Sequence, residues 1–334
     1  MSFYSDKRIN RLQISIKKIG GKQYRYASSY IYIDKGLLIA KNKSLGRVGV
    51  ATDTEKRLEE FKNTLIKTEI EERVKYWEPK ISEPKTFQYV KIERIEELRT
   101  KLNRKKDELG EIGKAAMAMA FSIDFIYNSN KIEGSRLPQK TVAELSQKGG
   151  NNEVANTIRA IDYFDHQKFP VSISALKDGQ KILLAHEESK HGFRTEPMVV
   201  GNAELLDHKN IKKNLEELFA WYKEQESKIY PLELAFLFHY KFERIHPFPD
   251  GNGRVGRILM NAILKKHRFH PMIVWNTKRK SYFSSFEKAM NGNKVPYLRF
   301  MIEQYKMTYE KYLPKIEKAS SFDHQLKEFL KPTI

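Results

Sequence analysis

Residues 246–257 read His246-Pro247-Phe248-Pro249-Asp250-Gly251-Asn252-Gly253-Arg254-Val255-Gly256-Arg257. An apolar helical pattern ends just before this segment, and a second one starts within it and continues through residues 258–264. Two prolines shape the first half, and the glycines permit unusual backbone angles and a close approach of backbone to ligand. The segment therefore predicts a loop that ends at a helix N-terminus, where unpaired N–H groups and the helix dipole attract anions.

Positive charge surrounds this loop. Arg254 and Arg257 are three residues apart and share one face of the following helix. Residues 251–286 contain eight Lys or Arg and no acidic residue, a pattern suited to binding a polyphosphate. His246 is a candidate general base near neutral pH. Asp250, a carboxylate beside a phosphate site, is a candidate Mg²⁺ ligand.

Two common nucleotide motifs do not fit. Gly251, Gly253 and Gly256 match G-x-G-x-x-G, but the dinucleotide-binding form needs a preceding strand and an acidic residue about 20 positions later. Here a helix precedes the motif, and the next acidic residue is Glu287. The P-loop pattern G-x-x-x-x-G-K-[ST] is absent from the chain. A single His before Pro, or a Gly-Asn-Gly turn, is usually structural, so only the whole segment points to a function.

The composition narrows the class of protein. The chain has 334 residues, with 61 Lys and Arg against 42 Asp and Glu, and a formal net charge of +19. This charge favours nucleotides, nucleic acid or an acidic surface as partners without choosing among them. The absence of Cys excludes disulfides, cysteine nucleophiles and Cys-ligated metals. With no apparent secretory signal and no apolar run long enough to span a membrane, we expect a cytoplasmic protein.

The spacing of apolar residues predicts a mainly helical chain after a short β-rich start. Tyrosines two or four residues apart between Tyr24 and Ala40 predict strands with a turn at 34–36, and a helix follows at Thr54–Trp77. Two Glu-Pro pairs between 78 and 84 predict a linker. Extended chain, in the form of a short hairpin, is predicted at 192–202. Further helices are predicted at Ile92–Leu109, Ile112–Tyr127, Pro138–Gln147, Asn152–His166, Ser172–Glu187, Asn210–Gln225, Pro231–Ile245, Arg254–His267, Ser281–Asn291 and Val295–Lys318.

As a unit, residues 246–257 resemble the signature of Fic-domain proteins, H-P-F-x-(D/E)-G-N-G-R-x-x-R, at every fixed position. The resemblance covers roughly residues 110–305. It implies a mainly α Fic fold, a helical bundle around this loop with a small β-hairpin flap, after a small N-terminal α+β segment. The implied units are a basic N-terminal segment at 1–85, a Fic domain at 86–320 and a tail at 321–334, with the inhibitory helix at about 112–134 and the flap at about 195–209.

The resemblance also implies an activity. Fic enzymes transfer the AMP part of ATP to a Ser, Thr or Tyr hydroxyl of a protein. By this resemblance, His246 would take the proton of the target hydroxyl, and Asp250 would hold Mg²⁺ between the α- and β-phosphates. The Doc-like kinases of the superfamily have Lys at the position of Gly253, so this glycine favours transfer of a nucleotide rather than of the γ-phosphate.

Phosphate binding is implied for the second half of the loop. Asn252 and the backbone N–H groups around Gly251 and Gly253 would form an anion hole. Arg254 and Arg257 would bind the outer phosphates. The physical logic agrees, because attack on the α-phosphorus develops negative charge that fixed donors and a metal stabilise.

Two further regions match the family. Residues 195–209 resemble the flap that aligns a target segment by strand addition, and Arg194 matches an Arg before it, with a surface salt bridge as the alternative. Tyr282 and Phe283 fall where the family has an aromatic pair near the adenosine, with core packing as the alternative. The flap positions that would line the nucleotide are Val200, Gly201, Asn202 and Ala203.

Residues 129–134 resemble the inhibitory motif of the family, (S/T)-x-x-x-E-(G/N), through Ser129, Glu133 and Gly134. On its own the pattern means little, since a Glu at such a spacing is usually a solvated charge. Upstream of a Fic motif it resembles the class whose inhibitory helix lies N-terminal in the same chain. Glu133 would then pair with Arg257 and occupy the place of the γ-phosphate.

Alternative functions remain at this level. A Fic-type enzyme removes AMP in some relatives, and UMP or phosphocholine transfer is a further possibility. A third class is a basic nucleic-acid-binding protein, suggested by basic and aromatic residues in 1–50, although a solvated basic face is the simpler interpretation. The expected partners are ATP, an unknown target protein along the flap and, by family resemblance, a second copy of the chain.

Overall fold

The structure is a computed structural model that describes residues 12–329 except residues 35, 52, 89, 201 and 202. Its strands are β1 (Gln13–Ile19), β2 (Lys22–Asp34), β3 (Leu37–Arg47), β4 (Val199–Val200) and β5 (Ala203–Glu204). Its helices are α1 (Thr54–Trp77), α2 (Ile92–Glu108), α3 (Glu111–Ile132), α4 (Gln139–Lys148), α5 (Glu153–His166), α6 (Ile173–Leu183), α7 (Ile211–Gln225), α8 (Pro231–Ile245), α9 (Asn252–Lys266), α10 (Arg279–Met290) and α11 (Val295–Phe329). The predicted mainly helical class is confirmed.

Three helices differ from the sequence prediction by more than one residue at their C-terminal ends. α3 continues to Ile132, so Ser129 lies in its last turn and Glu133 is its C-cap. α6 ends at Leu183, four residues earlier than predicted. α11 continues to Phe329, so the described part of the predicted tail is helical. After residue 318 the apolar spacing fades, yet no Gly or Pro interrupts the helix before its end.

The N-terminal unit is a three-stranded antiparallel sheet in the order β1-β2-β3, with α1 packed on one face. Period-2 alternation in β2 turns Ala27 and Ile31 toward α1, where they share a small core with Phe61 and Leu65. The segment predicted as a linker is fastened to the main body. Glu233 near the start of α8 accepts hydrogen bonds from the backbone N–H groups of residues 82 and 83, each at 2.8 Å.

Helices α8 and α9 lie at the centre of the main core. Almost every residue of α8 is buried, and α9 buries Val255, Ile258 and Leu259 against it. The hydrophobic cluster extends from these two helices to α2, α3, α7, α10 and α11. Both ends of the loop at 246–251 are thus anchored in buried helices, which holds its backbone rigidly. None of the described helices has the length and apolar character to cross a bilayer.

Candidate active site

The loop between α8 and α9 is closed by one side chain. His246 ends α8 with a left-handed backbone (φ 46°), and Gly251 precedes α9 with φ 85°. Asn252 Oδ1 accepts from the N–H of Phe248 at 2.9 Å, and Asn252 Nδ2 donates to the carbonyl of Phe248 at 2.8 Å. Both polar atoms of the Asn252 side chain therefore bond the backbone of the loop, and its own backbone N–H lies in the first turn of α9.

The first turn of α9 has no side-chain cap, because Gly251 is the N-cap residue. Its N–H groups are thus an anion site at the edge of a cavity of about 420 Å³, a size typical of small-ligand sites. The cavity brings together nine of the residues predicted from the sequence, namely His246, Asp250, Gly251, Asn252, Gly253, Arg257, Glu133, Tyr282 and Phe283. Arg254 reaches the site through its bond to Asp250.

His246 is oriented by Glu243 on the preceding turn. Its Nδ1 lies 3.3 Å from the Glu243 carbonyl oxygen and 3.5 Å from the Glu243 carboxylate. Burial raises the pKa of Glu243, but the hydrogen bond from His246 and the charges of His239 and Arg257 outweigh burial, and the net shift is downward. A proton on Nδ1 that faces these oxygens leaves Nε2 as the basic nitrogen. Sequence reasoning missed Glu243 and His239.

Asp250 is held by two cations. Lys190 Nζ lies 2.8 Å from Asp250 Oδ2, and Arg254 donates to Oδ1 at 3.0 Å. Burial raises the pKa of Asp250, but Lys190 and Arg254 lower it by more, and the net shift is downward. The carboxylate is therefore ionised at neutral pH. Lys190 is 60 residues away in sequence and belongs to no motif, so only the fold identifies it.

Arg257 and Glu133 form the predicted ion pair. Arg257 Nη2 donates to Glu133 Oε1 at 2.7 Å, and the Arg257 side chain is 1% exposed. Ser129 accepts two further bonds from Arg257 at 3.0 Å, one on its Oγ and one on its carbonyl oxygen. Burial lowers the pKa of Arg257, but the Glu133 charge raises it, and the net shift is upward. Gly134, with φ 104°, turns the chain away behind Glu133.

The fit between Glu133 and the loop depends on Gly253. A Cβ at position 253 would lie 2.2 Å from Glu133 Oε1 and 2.9 Å from Arg257 Nη1. A second glycine, Gly256, has a similar role on the buried side. A Cβ there would lie 2.8 Å from both Glu243 Oε1 and His239 Nδ1. Close side-chain approaches on two sides of α9 therefore explain the last two glycines of G-x-G-x-x-G, and the positive φ of Gly251 explains the first.

Arg194 fastens the flap to the loop. It is 5% exposed and donates to carbonyl oxygens of Ile245, His246, Glu196 and Leu206. Its own N–H donates to the carbonyl of Pro247 at 2.9 Å. The alternative of a surface salt bridge is therefore wrong, because the guanidinium is buried among carbonyl groups.

The flap itself is a two-stranded antiparallel hairpin in which Val200 pairs with Ala203. Gly201 and Asn202 lie outside the described residues. The nucleotide-lining role of these four residues stays a prediction. Leu205, just after the hairpin, lines the cavity.

Of the aromatic pair, Tyr282 packs in the core and Phe283 lies at the rim, and both line the cavity. Tyr282 is buried, and its hydroxyl lies 2.8 Å from His239 Nε2. Phe283 is 37% exposed at the rim, with the Arg279 guanidinium 4.8 Å from its ring centre. Arg279 also donates to the carbonyl of Ile132 at 2.6 Å, so α10 holds the end of the helix that carries Glu133.

Comparison with known proteins agrees with this geometry. Residues 170–264 match the model of the Fic/DOC family. "Protein adenylyltransferase Fic" of Nematostella vectensis is 27% identical over 245 residues, which cover 65% of this chain and 56% of that protein. The Drosophila grimshawi protein of the same name is 27% identical over 232 residues, 64% of this chain and 48% of its own length. The chain thus spans about half the length of the curated relatives it matches.

Solved structures show the same fold. A Fic-domain-containing signaling protein from Bacteroides thetaiotaomicron has a TM-score of 0.58 at 20% identity, covering 67% of this chain and 96% of that one. A fragment of Fic-1 from C. elegans has a TM-score of 0.59 at 18% identity, covering 80% and 88% of the two chains. The resemblance drawn from residues 246–257 is confirmed.

Proposed function

We propose that the Fic domain of this chain transfers AMP from ATP to a Ser, Thr or Tyr hydroxyl of a target protein, and that Glu133 restrains this activity. The names of the relatives support adenylyl transfer. The observation that carries the proposal is one cavity that joins a basic His246, an uncapped helix N-terminus and Arg257. These are a base, an anion site and a fixed positive charge.

The chemistry is an in-line displacement at the α-phosphorus. The target hydroxyl loses its proton to Nε2 of His246 as its oxygen bonds to the α-phosphorus. The bond between that phosphorus and the oxygen bridging to the β-phosphate breaks, and diphosphate leaves. The N–H groups at the start of α9 stabilise the charge that develops on the α-phosphate oxygens.

Asp250 is the residue that would bind Mg²⁺ at this site. No group of three or more His, Asp or Glu among the described residues is arranged to hold a metal, so the cation would draw its other ligands from phosphates and water. When bound there, Mg²⁺ neutralises phosphate charge. Lys190 and Arg254 keep the Asp250 carboxylate ionised and would give up part of their contact to the cation.

The restraint follows from the charge of Glu133. Its carboxylate lies 2.7 Å from the guanidinium that would bind the outer phosphates, and it would repel them. Productive binding of ATP requires Arg257 to exchange Glu133 for phosphate. Removal of the carboxylate should therefore raise AMP transfer.

The test is intact-mass analysis after incubation with ATP and Mg²⁺. We expect the Glu133→Gly variant to gain the mass of AMP on itself or on a protein of an added lysate, and the Glu133→Gly/His246→Ala variant to gain none. Glu108→Gly, at a surface position at the end of α2, is the matched control and should behave as wild type. Equal labelling of wild type and Glu133→Gly would reject the restraint. Labelling that survives His246→Ala would reject the base.

AMP removal is the alternative that the same residues support, since His246 and Glu133 can equally position a water. Incubation of each form with a target that already carries AMP separates the two reactions. Loss of the AMP mass in wild type, without gain in any form, would favour removal.

A further inference from the structure

The N-terminal sheet has a face that AMP transfer does not use. In β2, Ala27, Ser29, Ile31 and Ile33 are buried, and the tyrosines at the alternate positions are half-buried. The first set faces α1. Tyr24, Tyr26 and Tyr30 therefore lie in a row on the opposite side of the sheet. We call this side the tyrosine face.

Strand pairing places polar and basic residues beside the tyrosines. Tyr24 lies between Lys17 of β1 and Arg47 of β3, and Tyr26 lies between two serines at 15 and 44. The Lys17 ammonium is 4.9 Å from the centre of the Tyr26 ring. One cation of β1 thus lies at contact distance from a ring of the tyrosine face.

The three strands are mainly basic. The described residues of β1, β2 and β3 contain seven Lys or Arg, of which Lys17 and Arg47 lie beside Tyr24 on the tyrosine face, and one carboxylate, Asp34. Asp34 is buried and accepts a hydrogen bond at 3.2 Å from Tyr76 of α1, so it does not offset the charge of the tyrosine face. Such a surface is complementary to a polyanion.

We propose that the tyrosine face binds single-stranded nucleic acid, with bases stacked on Tyr24 and Tyr26 and phosphates held by Lys17 and Arg47. Cationic grooves interleaved with aromatic rings are how proteins bind single strands without sequence preference. The binding is independent of the adenylyl transfer proposed above.

The spacing of the rings selects single strands over duplexes. Residues two apart on one face of a strand are about 6.6 Å apart. Bases in a duplex follow one another at about 3.4 Å along each strand, and their faces are already covered by their neighbours. Separate rings can each receive a base only when the strand is extended and unstacked. At Tyr32 the face ends, because Arg268 of the main body lies 5.0 Å from that ring.

The experiment is fluorescence anisotropy of the full chain with a fluorescein-labelled single-stranded DNA of about 15 nucleotides. The RNA of the same sequence and the DNA duplex are the comparison probes. We expect both single strands to bind more tightly than the duplex, and excess ATP not to compete, since the active-site cavity is not involved.

Variants separate stacking from charge. Tyr26→Ala should weaken binding roughly 5- to 100-fold, whereas Tyr26→Phe, which keeps the ring, should retain it. Lys17→Ser should reduce the slope of log affinity against log salt by about 0.7. Tyr163→Ala on α5 and Lys213→Ser on α7 are matched controls outside the sheet and should bind as wild type.

Three outcomes would overturn the proposal. They are no binding of either single strand at low salt, duplex bound as tightly as the single strands, or equal binding by Tyr26→Ala and Tyr163→Ala. Thermal melting of each variant is measured in parallel to show that it is folded. A loss of binding by Tyr26→Ala supports the proposal when this variant melts as a folded protein and Tyr26→Phe still binds.

Discussion

At the scale of single residues, two glycines on α9 let charged groups approach the helix backbone. Gly253 admits Glu133 on the cavity side, and Gly256 admits His239 and Glu243 on the core side. Both glycines lie in a helix, where alanine would normally stabilise by about 1 kcal/mol. The close contacts of a new Cβ oppose that gain at both positions. The contacting side chains differ, so removing the Glu133 side chain should change the cost at position 253 and not at position 256.

We expect Gly253→Ala to destabilise the wild-type protein and to cost less in the Glu133→Gly background, where the atom 2.2 Å from the new Cβ is gone. Gly256→Ala is the matched control. It should cost about 1–3 kcal/mol in both backgrounds, because its contacts are buried groups that cannot move away. Denaturant unfolding of wild type, the three single variants and the two double variants measures this coupling. An equal cost of Gly253→Ala in both backgrounds would contradict the geometry.

Two histidines, one buried (His239) and one half-buried (His270), make stability depend on pH. Burial lowers the pKa of His239 to about 4 and that of His270 to about 3. The unfolded chain takes up these protons near pH 6.5, whereas the folded chain does not. The contribution of the two neutral histidines to the free energy of unfolding is therefore complete above about pH 6.5. It is lost as the pH falls from there toward the pKa values of the folded state.

Both proteins are compared at pH 7 and pH 5. On this acidification we expect His270→Phe to lose about 2 kcal/mol less of its free energy of unfolding than wild type loses. Phenylalanine suits the site, since the His270 ring already packs on Phe121 and Tyr309. Urea unfolding at the two pH values gives the difference. His166→Phe, at a site 70% exposed, is the control, and parallel pH profiles of wild type and His270→Phe would refute the prediction.

At the scale of elements, the site depends on two attachments of irregular chain to helices. Arg194 ties both ends of the flap to the end of α8, and Arg279 of α10 ties down the C-terminus of α3. Each attachment uses one long cation to bond the carbonyl groups that strand and helix ends leave unpaired. The β4–β5 hairpin and the helix that carries Glu133 are thus held by separate residues.

We expect Arg194→Lys to speed amide hydrogen exchange across residues 195–206 and to leave the helices of the core unchanged. Lysine keeps the charge but cannot reach four carbonyl groups in a fixed geometry. Exchange monitored by mass spectrometry resolves these segments. Arg159→Lys on α5, which loses one bond to the carbonyl of Gly150, is the control, and equal exchange in both variants would refute the role of Arg194.

At the scale of the whole molecule, a buried ionic network joins the N-terminal unit to the main core. Arg73 of α1 donates to the carbonyl of Tyr32 at 2.8 Å and pairs with Glu69 at 2.6 Å and Glu96 at 3.7 Å. Arg99 continues from Glu96 to the carbonyl of His267 at 2.6 Å, beyond the end of α9. The network indicates that sheet and helical body unfold together.

We expect Arg73→Met to destabilise the whole chain by about 3–5 kcal/mol, because it leaves Glu69 and Glu96 buried with reduced compensation. Calorimetry should show one transition that moves to lower temperature. Arg94→Met on the exposed side of α2 is the matched control. Separation into two transitions, with the larger one unmoved, would show that the N-terminal unit is energetically independent.

Local patterns were enough for the helical class and for the centre of the site. The helices at Thr54–Trp77 and Pro231–Ile245 are observed with the predicted bounds, since both have apolar spacing and clear ends. The twelve residues at 246–257 are contiguous, so their resemblance to the Fic signature could be read without the fold. Glu133 was found through a short motif, and its pairing with Arg257 is present in the structure.

Contacts between residues that are far apart in the sequence were decided by tertiary structure alone. Lys190 on Asp250 and the carbonyl groups of residues 245 and 246 at Arg194 have no local signature. They meet because the folded chain places the segment after α6 against the loop between α8 and α9. The tyrosines at 24–32 were visible in the sequence, but only the burial of the alternate residues against α1 shows which face they share. Periodicity is a property of the chain, whereas the pairing of charges across the core requires the folded chain to bring them together.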